Sequence, residues 1–506
     1  MEYIIQSFQT LITPTCIGLM LFGTAMGVIF GAIPGLNATI GMTLMLPFTF
    51  KMEPEMGIAV LMGIYIGGVS GGFISATLVG IPGTNASIAT CYDAYPMSQR
   101  GDTVRALGTG AVASFIGTFI SAFFAMFLVR YLSKVAVMLG PWEYFSLCFC
   151  AIGLIIALSE ENIFKGMASA LIGMFVATIG ASPIDASFRF TFGSINLISG
   201  VDLIAMMLGI FAIKLIAVNF ARGTQKMPEI KKVRMKGFGI TKEDLKGNWF
   251  NILRSFFLGM WIGFLPGLGG GISNMVAYGQ AKRASKHPEE FGKGCVDGVW
   301  ASEVSNNSTI GGALIPMLSL GVPGDNLSAL LMSGLMVHGI ACGPLLIYDR
   351  PALVYTVFLG AIFASIYTLL MQYYGMRVFP NLLRTPYHYL YSSIIFICFM
   401  GAFSSNYTLF NCGLVLVFGI ISVLLTYGGF PIAPLILGFI VSPLLEKNLR
   451  MGLTYTDKGF LPFITRPISG AFLLVAVVSL ALALRDRRKA QRKARETKDA
   501  EEMGDQ

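Results

Sequence analysis

Two eight-residue segments of this chain carry the same groups at the same spacing: Gly80-Ile-Pro82-Gly83-Thr-Asn85-Ala-Ser87 and Gly321-Val-Pro323-Gly324-Asp-Asn326-Leu-Ser328. Both lie in apolar surroundings. Proline removes a backbone donor and glycine adds an entropic cost, so each segment breaks a helix, freeing carbonyls before the proline and N–H groups after it. With the side-chain oxygens of Asn85, Ser87, Asn326 and Ser328, such a break can hold an anion at the N-terminus of the restarted helix and a cation at the freed carbonyls. The alternative is local, with the asparagine only capping the helix that restarts. Upstream of the second segment, Glu303 precedes the polar run Ser305, Asn306, Asn307, Ser308 and Thr309. Such a run lines a hydrated cavity or ion site if it lies at membrane depth, and is ordinary in an external loop.

An earlier pair of motifs belongs with these. Gly23, Gly27, Gly31 and Gly35 recur at four-residue spacing and end in Pro34-Gly35-Leu36, followed by Asn37; Ser255, Gly259, Gly263 and Gly267 end in Pro266-Gly267-Leu268, followed by Gly269, Gly270 and Gly271. Small residues at this spacing line one helix face and let backbones approach closely, so each ladder alone reads as packing. Their matched termination gives Pro34, Gly35, Asn37, Pro266 and Gly267 functional weight. Both motifs appear in the same order in each half, which is an internal duplication. Matched breaks in matched apolar segments point to a secondary transporter's substrate site. Where the second half has its polar run, the first has Gly67-Gly68-Val-Ser70-Gly71-Gly72, so the halves contribute unequally.

Other chemistries find little support. Gly68-Val-Ser70-Gly71 fits the GxSG pattern of intramembrane serine proteases, with His338 as an imaginable base, but four residues in a chain with 59 glycines arise easily by chance. No GxxxxGK[ST] segment is present, which excludes ATP hydrolysis by a P-loop. The eight cysteines form no CxxC pair and the three histidines are dispersed, so no zinc, haem or iron–sulfur ligand set is expected. The chain is read as a non-enzyme needing no cofactor beyond a coupling ion.

These motifs must be positioned by membrane helices. The chain is 55% hydrophobic and 12% charged, with a mean hydropathy of +0.70, too apolar for an ordinary soluble domain. Apolar stretches of about 20 residues, the length that spans a bilayer as helix, follow one another up to residue 484. They predict an all-α polytopic membrane protein with roughly 10–12 transmembrane helices, two inverted repeats and Pro-Gly-broken helices or re-entrant hairpins. The net charge of +9 is not a nucleic-acid signal, because nearly half of the 36 basic residues sit between Arg222 and Arg254 or between Arg485 and Lys498. Basic flanks mark the cytoplasmic side. The first 50 residues lack Lys and Arg, which puts the N-terminus outside, and residues 9 to 33 are expected to be a retained helix.

The expected organisation is an N-terminal transmembrane half (1–220) with motifs at 23–39 and 67–96, and a basic cytoplasmic connection (221–250). Repeat 2 follows (251–350) with motifs at 255–271 and 303–328, then further transmembrane helices (351–484) and a charged cytoplasmic tail (485–506). With one repeat starting outside and the other from the basic connection, the two run in opposite directions.

The residues Gly31-Ala-Ile-Pro34-Gly35-Leu36, Gly80-Ile-Pro82-Gly83, Asp93-Ala-Tyr95-Pro96 with Arg100-Gly101, Leu265-Pro266-Gly267, His287-Pro-Glu-Glu-Phe-Gly292-Lys-Gly294, Ser305-Asn306-Asn307 and Gly321-Val-Pro323-Gly324 give a resemblance over roughly residues 15 to 445. The chain resembles the large membrane subunit of the tripartite tricarboxylate transporter family, the TctA family. It departs in having Ala94 where Asp-Gly-Tyr-Pro is common. The resemblance implies a bacterial inner-membrane permease that imports carboxylates with a cation gradient. Its implied partners are a small four-helix membrane subunit of TctB type and a periplasmic solute-binding protein of TctC type. Few basic residues fall within the motifs, and a helix N-terminus contributes only about 0.3–2 kcal/mol, while burying an ion costs several. A co-bound cation closes that gap. Sodium is favoured by the neutral oxygens of the motifs, with Glu303 and Asp325 leaving the proton open; a possible Na+ site is placed at the same Pro-Gly breaks. The rival readings are a single-component carrier or a channel for small organic anions.

Overall fold

Proline and glycine end helices at matched places in the two halves, and the computed structural model, which describes residues 2–157, 162–221, 237–384 and 387–504, is organised around those ends. The basic residues between 222 and 236 lie outside the described residues, as do the side chains beyond Arg485. The chain is almost wholly helical. It opens with α1 (Glu2–Leu11), α2 (Pro14–Ala32), α3 (Ala38–Thr49), α4 (Pro54–Val79), α5 (Ile88–Gln99) and α6 (Thr103–Val137). Next come α7 (Pro141–Ala157), α8 (Ile163–Ala177) and a two-stranded antiparallel pair, β1 (Gly180–Ala181) with β2 (Phe188–Arg189). Then follow α9 (Leu203–Met207), a π-helical stretch at Leu208–Ile213, α10 (Lys214–Ala221), α11 (Lys242–Phe264), α12 (Gly269–Ala284), α13 (Val296–Leu320), α14 (Asn326–Val337), α15 (Leu346–Asp349) and α16 (Pro351–Gly375). The remainder is α17 (Phe379–Leu382), α18 (Tyr387–Asn406), α19 (Leu409–Tyr427), α20 (Ile432–Thr454), α21 (Leu461–Thr465) and α22 (Pro467–Gly504).

Nine described helical segments are long and apolar enough to cross a membrane. Helices α11 and α13, of 23 and 25 residues, are as long but more polar. The all-α polytopic class is thus the observed one. Two compact units interleave along the chain, one of residues 1–137 and 202–423, the other of 138–201 and 424–506.

The first unit contains both repeats. In each, the sequence of elements is helix, Pro-Gly break, helix, long helix, Pro-Gly break, helix: α2 to α5 in one and α11 to α14 in the other. The glycine ladders are packing surfaces. A Cβ at Gly27 or Gly31 of α2 would overlap the backbone of α4 at Ile64 and Gly68, and one at Gly259 or Gly263 of α11 would overlap α13 at Ser305 and Thr309. Close backbone approach of this kind replaces the hydrophobic drive that lipid removes. The following helices exchange partners: Gly117 of α6 lies against Val304 and Asn307 of α13, while Gln372 of α16 donates to the Ser70 carbonyl of α4 at 3.1 Å. As a result α4 and α13 are enclosed by protein, buried without interruption from Gly57 to Leu78 and from Gly298 to Leu320. That burial is what lets α13 carry its polar run inside an apolar chain. The outer face of α6 instead exposes Phe123, Phe124 and Phe127, as suits lipid.

In the second unit, α8 and α20 pack through Gly173 and Gly438. Arg466 reaches the buried Glu143 of α7 at 2.6 Å, and Arg189 of β2 makes a two-pronged pair with Glu446 at 2.8 and 3.2 Å.

Candidate functional site

The two long central helices end alike. Gly80 after α4 and Gly321 after α13 adopt left-handed φ values of 70° and 73°, which a residue with a Cβ resists. The chain then turns through Pro82-Gly83 and Pro323-Gly324. Gly83 donates to the Gly72 carbonyl at 3.2 Å, and the other loop of the second repeat closes against it where Gly267 donates to the Gly324 carbonyl at 2.7 Å. Pro34, Pro266 and Pro323 are buried and Pro82 is half-buried.

The restarted helices are not capped by the asparagines of the repeated motif. Asp325 caps α14, accepting from the Ser328 N–H at 2.7 Å, while Ser328 Oγ accepts from the Asp325 N–H at 2.9 Å. In the first half Ser87 Oγ accepts from the Thr84 N–H at 3.3 Å and donates to its carbonyl at 2.9 Å. Ser87 and Ser328 therefore serve the local fold. Asn85 and Asn326 start their helices one position later, Asn85 exposed and Asn326 half-buried. Asn37 does cap, accepting from the Ile40 N–H at 2.9 Å, and the neighbouring Gly35 is exposed with φ 87°.

Three of the four breaks meet at the start of α12. A Cβ on Gly269 would lie 3.4 Å from Asp325 Cβ, one on Gly270 would overlap the Asn306 amide and lie 3.0 Å from Ala86 Cβ, and one on Gly271 would lie 3.5 Å from the Asn85 carbonyl. Asn306 is fully buried; its amide is within reach of the Glu303 carboxylate, but neither its Oδ1 nor its Nδ2 makes a hydrogen bond of normal geometry. No lysine or arginine is among these residues.

Ser305 and Asn307 face elsewhere. Ser305 bonds Ser273 at 2.5 Å. Asn307 accepts from Ser70 at 2.7 Å and donates to Ser114 at 2.9 Å, binding α4, α6 and α13 together. It also donates to the Glu303 carbonyl, and Glu303 itself accepts from Thr90 at 2.5 Å and Ser114 at 3.2 Å. Thr90 in turn accepts from Asn274 of α12 at 3.3 Å. Pairing a buried carboxylate with two hydroxyls and the Asn307 amide offsets part of its desolvation.

Sequence reasoning passed over Tyr65, whose hydroxyl reaches both Asp325 oxygens at 3.0 and 2.9 Å, and Thr84, which forms a capping box with Ser87. Aligning the two halves through their shared Pro-Gly-x-Asn register places Tyr65 opposite Asn306 and Thr84 opposite Asp325, a signal available in the sequence. The Asp93 motif and the loop after α12 prove to be one device: Asp93 Oδ1 accepts from the N–H groups of Gly292, Gly294 and Cys295 at 2.9, 2.8 and 2.8 Å, and Arg100 donates to the Gly294 carbonyl at 2.8 Å. Ser70 and His338 are not brought together. Ser70 is bonded to Asn307, and His338 lies beside Gly57, thirteen residues or about 20 Å away along α4. Among the described residues no group of three or more His, Cys, Asp and Glu is placed to hold a metal ion.

Apolar helices of membrane-crossing length, broken in pairs around two enclosed and partly polar helices, define a multi-pass α-helical membrane protein. A sequence profile of the tripartite tricarboxylate transporter TctA family matches residues 17–437, and the chain belongs to that family. It is 30% identical over 477 residues, 94% of this chain and 95% of the relative, to an uncharacterised 52.8 kDa protein in the TAR-I ttuC' 3' region of Agrobacterium vitis. It is also 31% identical over 226 residues, 45% of this chain and 93% of the relative, to an uncharacterised protein in the TAR-II ttuC' 3' region of the same organism. No solved structure matches it. Family membership makes the chain a component of a transport system.

Proposed function

We propose that this chain is the permease subunit of a cation-coupled secondary transporter of the bacterial inner membrane, importing di- or tricarboxylates. The observation that carries the reading is the meeting of three helix breaks at the start of α12, where backbone groups and the Asn306 amide lie beside the Asp325 carboxylate and no basic side chain stands among them. A carboxylate brought there keeps its charge uncompensated unless a cation comes with it, because a helix terminus supplies only about 0.3–2 kcal/mol. Sodium suits the amides, hydroxyls and carbonyls of the breaks, with a proton on Glu303 or Asp325 as the other coupling ion. The two repeats run in opposite directions across the membrane. A solute-binding protein delivers the substrate in the periplasm, and a small four-helix subunit completes the membrane complex; what supports this is the tripartite make-up that the family name gives.

The test is uptake into proteoliposomes. With the small subunit and the liganded binding protein added, an inward sodium gradient should drive accumulation that vanishes with the gradient, and this chain alone should take up little at low substrate concentration. Full, saturable uptake by this chain alone makes it a single-component carrier; downhill flux without accumulation makes it a channel; uptake indifferent to every cation gradient removes the coupling.

A further inference from the structure

The duplication makes each half a control for the other, and the two halves are not equally complete. In one, Tyr65 and Asp325 face each other across the repeat boundary and satisfy one another. The matching positions in the other half hold Asn306 and Thr84. Both are shorter than their counterparts: Thr84 turns to its own helix start, in a capping box with Ser87, while the Asn306 amide is buried with no hydrogen bond of normal geometry at Oδ1 or Nδ2. The neighbouring helix starts differ in the same sense. The N-terminus of α3 is closed by its own Asn37, whereas α12, sixteen residues long, has no side-chain cap. The first N–H groups of a helix have no partner within it, and no bond from those of Gly269, Gly270 or Gly271 to a loop carbonyl occurs among the described residues.

We propose that Asn306 and the glycine start of α12 form the subsite for one carboxylate of the substrate, and that Asp325 is the protein's own carboxylate filling the equivalent place in the other half. The inference rests on the transport reading above and says which of two related places binds. The chemistry favours an anion. Unpaired backbone N–H groups and the positive end of a helix converge there with an amide, and a half-turn of the Asn306 amide exchanges its oxygen for its nitrogen. The glycine at 271 is not demanded by packing, since a Cβ there would make only ordinary contacts, the nearest at 3.5 Å to the Asn85 carbonyl. It leaves the first turn open to a ligand. Asp325 is the charge next to the subsite, with its Cβ against Gly269. Its carboxylate is held by Tyr65 and the Ser328 N–H, so a second carboxylate beside it draws in a cation.

Gly271→Ala separates this from a structural role, because alanine strengthens a helix while its methyl crowds the N–H groups. Gly279→Ala is the matched control, on the same helix with nothing within 4 Å of the added Cβ. The probes are citrate, succinate and malate, taken up by proteoliposomes holding this chain with both partner subunits under an inward sodium or proton gradient. For whichever probe the wild type imports, Gly271→Ala and Asn306→Ala should raise the half-saturating concentration about tenfold or more, the scale of one lost charge-assisted hydrogen bond, and Gly279→Ala should not. Protein levels and melting temperature of Gly271→Ala should equal or exceed the wild type. Unchanged half-saturation in Gly271→Ala at normal protein level overturns the subsite. So does an Asn306→Ala effect confined to the sodium dependence, which makes the pocket a cation site. If the wild type imports none of the three under either gradient, the transport reading itself falls, and the subsite with it.

Discussion

Tyr65 and Asp325 join the two repeats through one buried contact, so their coupling is open to measurement. The hydroxyl lies 3.0 and 2.9 Å from the carboxylate oxygens, and Tyr65 is fully buried. A hydrogen bond to a charged group contributes about 1.5–3 kcal/mol, so Tyr65→Phe, which removes the hydroxyl and keeps the ring, should destabilise by that amount. The carboxylate keeps its bond from the Ser328 N–H at 2.7 Å, which holds the loss below that of a fully orphaned charge. Asp325→Asn keeps shape and cap but makes the contact neutral, costing roughly half as much. Asp325→Ala loses the cap as well, about 1 kcal/mol more, and strands the tyrosine hydroxyl, so it should be the worst of the three. Unfolding in mixed micelles of the two single variants and of Tyr65→Phe with Asp325→Asn gives the coupling energy, expected at about 1–3 kcal/mol. Additive losses, with coupling below about 0.5 kcal/mol, refute the idea that this pair ties the repeats together.

Asn85→Ala and Asn326→Ala should abolish uptake at normal protein levels, whereas Ser87→Ala and Ser328→Ala should lower stability by about 1 kcal/mol through lost capping contacts; normal uptake in both asparagine variants removes them from the site. Gly27→Leu and Gly259→Leu should each prevent folding, seen as loss of monodisperse protein, while Gly18→Ala, with open space around its Cβ, should change nothing. Asp93→Ala should release the loop at Gly292–Cys295, read as faster amide exchange or proteolysis confined to residues 285–295. Cysteines introduced at Thr13 and Gly239 should react from opposite sides of the membrane if the repeats are inverted; labelling of both from one side refutes the inversion.

The sequence by itself determined that this is a helical membrane protein and where its helices break. Both follow from local properties: apolar runs of spanning length, and prolines and glycines that no helix interior tolerates cheaply. It also paired the halves, because a duplicated motif needs no coordinates to be seen. What it left open was which of the polar groups share a place. Ser305, Asn306 and Asn307 are adjacent in sequence, yet on a helix, neighbours point about 100° apart. Only the packing of α11, α12 and α6 around α13 decides that Ser305 meets Ser273, that Asn307 binds the helices together, and that Asn306 faces the start of α12. Tyr65 sits in an otherwise glycine-rich and apolar stretch and announces no chemistry until α14 arrives with Asp325 beside it. The same holds for the four breaks. Their existence is a matter of residue type, but that three of them converge on Gly269, Gly270 and Gly271, while the loop at Pro34 closes on its own Asn37, is set by helices that approach from distant parts of the chain.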